Sequence, residues 1–75
     1  MNFNDSKMNF LKIISETKDF TNDVALQRIF KIVKSINTQK ELNNQKDLID
    51  KIAIDSVINY DTIELILIFT KDHVL

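Results

Sequence analysis

Few side chains in this sequence could carry chemistry. His73 is the single histidine, and there is no cysteine. A lone imidazole builds no zinc site without several carboxylates beside it. No Ser or Cys stands in a recognisable nucleophile motif. The expected role of His73 is a favourable interaction, when protonated, with the dipole at a helix C-terminus. Asp47, Asp50, Asp55 and Asp61 cluster in the second half. A calcium loop needs carboxylates at alternating positions and a turn glycine. This spacing matches no such loop, so the cluster reads as a solvated helix face. Glycine is absent altogether, which removes the loops whose backbone N–H groups cradle phosphates. The chain is therefore expected not to be an enzyme, with no catalytic residue, cofactor, metal or small-molecule substrate.

Two groups of residues could instead recognise a partner. Arg28, Lys31 and Lys34 form a basic strip at helical spacing, to which Lys12 or Lys18 could add. Such a strip serves solubility, an acidic protein partner or phosphates. The net charge of -1 gives no global attraction to nucleic acid or to a membrane, so the first two uses are favoured. The second group is apolar: Ile54, Ile58, Ile68 and Phe69. Ile54 and Ile58 lie four apart, off the main apolar side of their segment. Ile68 and Phe69 end the run from Leu65 to Phe69. Surplus apolar surface on a small soluble protein marks a binding site.

These residues need elements to position them. A chain of 75 residues is one domain, residues 1–75. It buries roughly 60% of its unfolded surface, which leaves a monomer marginal. Without disulfides or a metal, stability rests on efficient packing or self-association. Glycine and proline are both absent, so no glycine can cap a helix and boundaries must be read from N-caps and periodicity. Asn4 is expected to cap a first helix, with Phe3 and Met8 as a hydrophobic staple. Thr21 or Asn22 is expected to cap a second. Thr38 and Glu41 fit a capping box, and Asp61 and Glu64 repeat it, with Tyr60 and Leu65 as a possible staple.

Periodicity fills in the faces. Phe10, Leu11, Ile13 and Ile14 form the apolar side of the first segment, with Lys7, Lys12 and Glu16 outward. In the second, Ala25, Leu26, Ile29, Phe30, Ile32, Val33 and Ile36 share one broad face, wide enough for two neighbours. In the third, Leu48, Ile49, Ile52, Ala53, Val57 and Tyr60 share a face. Ile58 is off it, so this helix is either covered on both sides or broken before Ile58. The polar stretch from Asn43 to Lys46 is a second candidate break. Residues 63–69 are apolar nearly all round and read as a central helix, with a strand as the rival. The expected fold is all-α, a compact bundle of three to four short helices. Its core should include Leu11, Ile14, Leu26, Ile29, Phe30, Val33, Ile52, Ile63, Ile66 and Leu67. The longest apolar run is far short of the ~20 residues that span a bilayer, and no signal peptide is visible, so a cytoplasmic protein is expected.

Residues 52–66 weakly resemble a helix-turn-helix, with Ala53, Ile58, Ile63 and Ile66 at suitable positions. Two departures stand against it. Val57 occupies the usual turn glycine. The would-be recognition helix offers Asp61, Thr62 and Glu64, whereas base readout relies mainly on Arg, Lys, Asn and Gln. The leading expectation is a small non-catalytic regulator or inhibitor that binds a protein, a homodimer among the options. Ile54, Ile58, Ile68 and Phe69 form the centre of its surface, and Arg28, Lys31 and Lys34 its rim. The alternatives are a helix-turn-helix-like DNA-binding regulator and a self-assembling structural subunit. Abundant Asn, Lys and Ile with a single arginine imply AT-rich codons, which fits a phage or mobile-element effector acting on a host protein.

Overall fold

The computed structural model describes residues 2–18, 20–56 and 59–72, the side chain of Asp72 excepted. Four α-helices appear among them: α1 (Phe3–Ser15), α2 (Val24–Ser35), α3 (Gln39–Asp55) and α4 (Tyr60–Asp72). A one-turn 3-10 helix, Phe20–Asn22, precedes α2. No strand occurs among the described residues, and the apolar run 63–69 is helical. The all-α bundle expected from periodicity is the fold.

Three of the four helix starts lie one or two residues from where N-cap residues alone placed them, and the start of α3 at Thr38 lies where expected. Asn2, not Asn4, caps α1 by accepting from the Asp5 N–H at 2.9 Å. Asp23, not Thr21 or Asn22, caps α2 through the Leu26 N–H. Thr21 and Asn22 are taken up by the 3-10 turn. The Gln27 amide clamps that turn by donating to the Phe20 and Thr21 carbonyls. The box at Thr38 forms, with its hydroxyl accepting from the Glu41 N–H at 3.2 Å. The reciprocal arm differs, because the Glu41 carboxylate accepts from the Asn37 N–H rather than that of Thr38. At α4 the cap is Asn59, whose Oδ1 accepts from the Asp61 N–H at 2.8 Å. The helix thus begins at Tyr60, before the expected Asp61 cap.

The C-termini solve the missing-glycine problem with hydroxyls. Ser15 donates to the Lys12 carbonyl, Thr17 to Ile14, Ser35 to Ile32 and Ser56 to Ala53. Each bond reaches back three residues to a carbonyl near the helix end, and at Lys12, Ile14 and Ala53 it adds to a backbone N–H that the same carbonyl accepts. No described residue needs a positive φ. α3 runs unbroken through Asn43–Lys46 and stops at Asp55, ahead of Ile58. Val57, Ile58 and His73 lie outside the described residues.

Packing follows the apolar stripes. α2 contacts both α1 and α3, as its broad face requires, α3 contacts α4, and α1 touches α4. The core is Phe10, Leu11 and Ile14 from α1, Leu26, Ile29 and Val33 from α2, and Ile36 just beyond it. Leu42, Ile49 and Ala53 come from α3, and Ile66 and Phe69 from α4. Phe30, Ile52 and Ile63 pack against it half-buried, and Leu67 is half-buried too. Phe20 meets Phe30 edge-on at 5.4 Å, pinning the 3-10 turn to α2. The radius of gyration is 11.2 Å, which matches the ~11 Å of a folded domain of this length.

Four residues lie on faces other than those expected. Ile13 is 39% exposed rather than core. Leu48 and Tyr60 are also exposed, and Tyr60 belongs to α4. Lys7, expected outward, is buried. Its stem occupies the apolar stripe between Phe3 and Phe10. Its ammonium donates to the Lys34 carbonyl at 3.2 Å and the Ile36 carbonyl at 2.8 Å. A cation thus sits on the negative end of the α2 dipole.

Candidate functional site

The proposed apolar centre divides. Phe69 is 6% exposed, and its ring stacks on Phe10 with centroids 4.1 Å apart and planes within 11°. It belongs to the α1–α4 seam and leaves the candidate surface. The physical reason is spacing: Phe69 lies three residues after Ile66, on the same inward stripe of α4. Ile54 is 62% exposed and Ile68 is 47% exposed. Ile58 lies outside the described residues.

Ile54 does border a concave surface. It lines a groove of about 480 Å³ between α3 and α4 with Tyr60, Ile63, Glu64 and Leu67. Sequence reasoning missed Tyr60, which was assigned to the apolar face of the third segment. In the structure it is 81% exposed at the start of α4. Ile63 and Leu67, expected in the core, instead form the half-buried floor. Their spacing of four, continuing from Tyr60 through Glu64, was the available signal. Ile68 is not part of the lining and projects from the outer face of α4.

The basic residues do not rim this groove. Arg28 lines a different one, between α2 and α3, with Val24, Leu48, Lys51, Ile52 and Asp55. Lys34 lines a third, between α1 and α2, with Lys7, Met8, Leu11, Lys12 and Phe30. Its ammonium lies 6.0 Å from the Phe30 ring centroid, within cation–π range. Lys31 is exposed on α2 and lines none of the three grooves.

The aspartates also separate. Asp47, Asp55 and Asp61 are exposed. Asp50 is tied down: its Oδ2 accepts from Lys46, and its Oδ1 receives the Thr70 hydroxyl at 2.8 Å. Thr70 is wholly buried, so this bond stitches α3 to α4 inside the seam. The hydrogen bond from Lys46 to Asp50, opposed by partial burial, raises the lysine pKa above its ordinary 10.5. Among the described residues, no group of three or more His, Cys, Asp or Glu converges as a metal site. No described helix is long and apolar enough to cross a membrane.

The helix-turn-helix resemblance can be set against these positions. Ala53 and Ile66 are buried, and Ile63 is half-buried, as a helical corner requires. The outer face of α4 nevertheless carries Asp61 and Glu64, both exposed, which phosphates would repel. No family model matches the chain, and no curated protein or solved structure matches it significantly.

Proposed function

We propose that the chain is a small non-catalytic protein-binding module that regulates or inhibits its partner by seating one of the partner's helices between α3 and α4. The observation that carries this reading is the apolar α3–α4 groove, with Ile54 and Tyr60 standing largely exposed at its edges. A concave apolar floor between two helices suits the apolar face of an amphipathic helix. Tyrosine is among the residues that supply much of the energy of an interface once a partner buries it. The one charge in the lining is Glu64, so the matching helix carries a Lys or Arg beside its apolar anchors. The composition, rich in Asn, Lys and Ile with a single arginine, adds a phage or mobile-element effector as the class of protein.

The test is photo-cross-linking in cells that express the protein, with p-benzoylphenylalanine replacing Tyr60 and, as a control, the exposed Asn9. We expect one discrete adduct with a different protein from position 60, scored apart from any cross-link between two copies of the chain, and none from position 9. Ile54→Asp should remove the adduct and weaken binding of the purified partner at least about tenfold. It should change stability by under ~0.5 kcal/mol, because the side chain is mostly in solvent already. An adduct that survives Ile54→Asp would place the partner elsewhere and refute the groove.

A further inference from the structure

The molecule carries two faces of opposite predominant charge, neither of them salt-bridged among the described residues. The first is concave. The α1–α2 groove, of about 490 Å³, is lined by Lys7, Lys12 and Lys34 around Met8, Leu11 and Phe30. Met8 is 56% exposed, and Lys12 and Lys34 are exposed. No acidic residue lines it among the described residues. The second face is convex. Tyr60, Glu64 and Ile68 follow one another at a spacing of four along α4, with Asp61 beside them. All four are exposed. Lys46–Asp50 is the only ion pair among the described residues, so Lys12, Lys34, Asp61 and Glu64 form no salt bridge with any described residue.

We propose that the α4 ridge of one copy seats in the α1–α2 groove of a second copy, with Asp61 and Glu64 meeting Lys12 and Lys34. The lengths agree. From Tyr60 to Ile68 the ridge rises roughly 12 Å, and from Lys7 to Ser15 the groove runs the same roughly 12 Å at 1.5 Å per residue. Chemistry agrees as well, since Ile68 and Tyr60 supply apolar mass opposite Met8 and Phe30. Opposed charges steer and register such a contact, while like charges oppose it. The same ridge would repel nucleic acid, so an anion-coated polymer is not its partner. The ridge shares Tyr60 and Glu64 with the α3–α4 groove but not Ile54, and the proposal stands without the function proposed above.

The contact is smaller than the ~800 Å² per partner of a standard interface, so association is weak and charge-dependent. Sedimentation equilibrium of the full chain at about 1 mM in low salt should show self-association. It should fade as added salt shortens the screening length. Asp61→Lys with Glu64→Lys breaks the ridge, and Lys12→Glu with Lys34→Glu breaks the groove. Each double variant should associate at least about tenfold more weakly than the wild type. An equimolar mixture of the two should recover the lost association, because the reversed ridge matches the reversed groove. All four sites are on the surface, and circular dichroism verifies that the variants remain folded. Ile54→Asp should leave self-association intact. A wild-type chain that stays monomeric, a mixture that fails to recover, or loss on Ile54→Asp as large as on charge reversal would overturn the proposal.

Discussion

Lys7 offers a quantitative test of how the bundle is held. Its side chain lies in the apolar stripe of α1, and its ammonium donates to two carbonyls at the end of α2, at 2.8 and 3.2 Å. Hydrogen bonds to a charged group contribute about 1.5–3 kcal/mol each. Removing the ammonium from water offsets a large part of that. A net contribution of about 2 kcal/mol follows, and it includes the favourable placement of a cation at a helix C-terminus. Lys7→Met keeps the buried stem and deletes the charge, which leaves the Ile36 and Lys34 carbonyls without this donor. A chain of this length has a total stability of about 4–11 kcal/mol at 0.05–0.15 kcal/mol per residue. A loss of ~2 kcal/mol should lower Tm by roughly 8–16 °C. Thermal and urea melts followed by circular dichroism would measure it, with Lys12→Met as the exposed control. The control should stay within about 0.5 kcal/mol of wild type. If Lys7→Met melts with the control, the ammonium adds nothing to α2, and the α1–α2 seam is held by apolar packing alone.

Three further outcomes follow from named contacts. Thr70→Val keeps the volume but withdraws the proton from Asp50, so it should cost about 1–2 kcal/mol by urea midpoint. A neutral result would mean that Lys46 alone satisfies the carboxylate. The Lys46 pKa is raised in the fold by its bond to Asp50. Its stabilisation is thus complete below the ordinary lysine value and lost as pH rises through the raised one. The gap in stability between wild type and Lys46→Met should hold from about pH 7 to 9 and close in more alkaline solution; an unchanging gap would assign it to packing. Phe69→Ala should cost about 3–5 kcal/mol, the range for a buried aromatic, whereas Ile68→Ala should cost under about 1 kcal/mol. The reverse order in melting curves would return Phe69 to the surface.

What the sequence made legible was local and periodic. The face of α2 is readable because Leu26, Ile29, Val33 and Ile36 repeat at helical spacing, and these four residues are its buried stripe. Thr38 is readable because one hydroxyl stands three residues before one glutamate. Ambiguity began wherever several residues could do the same job. Asn2, Asn4 and Asp5 are all competent caps, as are Thr21, Asn22 and Asp23. Their local energies are alike, and the Gln27 clamp on the 3-10 turn helped decide the second case. The helix ends carry a signal of their own in the sequence: Ser15, Ser35 and Ser56 each stand at a helix terminus where a glycine would otherwise serve. Lys7 was misplaced for a different reason. Its position, between Phe3 and Phe10 or Leu11, is a core position by period, and a charge rule overrode the period. A long amphipathic stem can satisfy both when a helix end lies within reach of the ammonium.

The surface was least legible because it depends on which neighbour flanks each helix. At about 100° per residue, Arg28 and Lys34 lie about 120° apart around α2. Read along the chain they form one strip. Set between α1 and α3, they fall into separate grooves, and Lys31 is left between them. Ile54 and Leu48 divide in the same way, Ile54 lining the groove toward α4 and Leu48 the groove toward α2. A rim and a centre read from one-dimensional spacing therefore came apart once α3 was packed on both sides. The same packing order assembled what spacing had scattered. It brought Ile54 of α3 beside Tyr60 and Ile63 of α4, and Lys12 of α1 beside Lys34 of α2. Each of the two proposed grooves thus belongs to a pair of helices, whereas the proposed ridge belongs to α4 alone. Substitutions that reorder the helix pairs should therefore erase both grooves together, while single surface charges should act on one groove at a time.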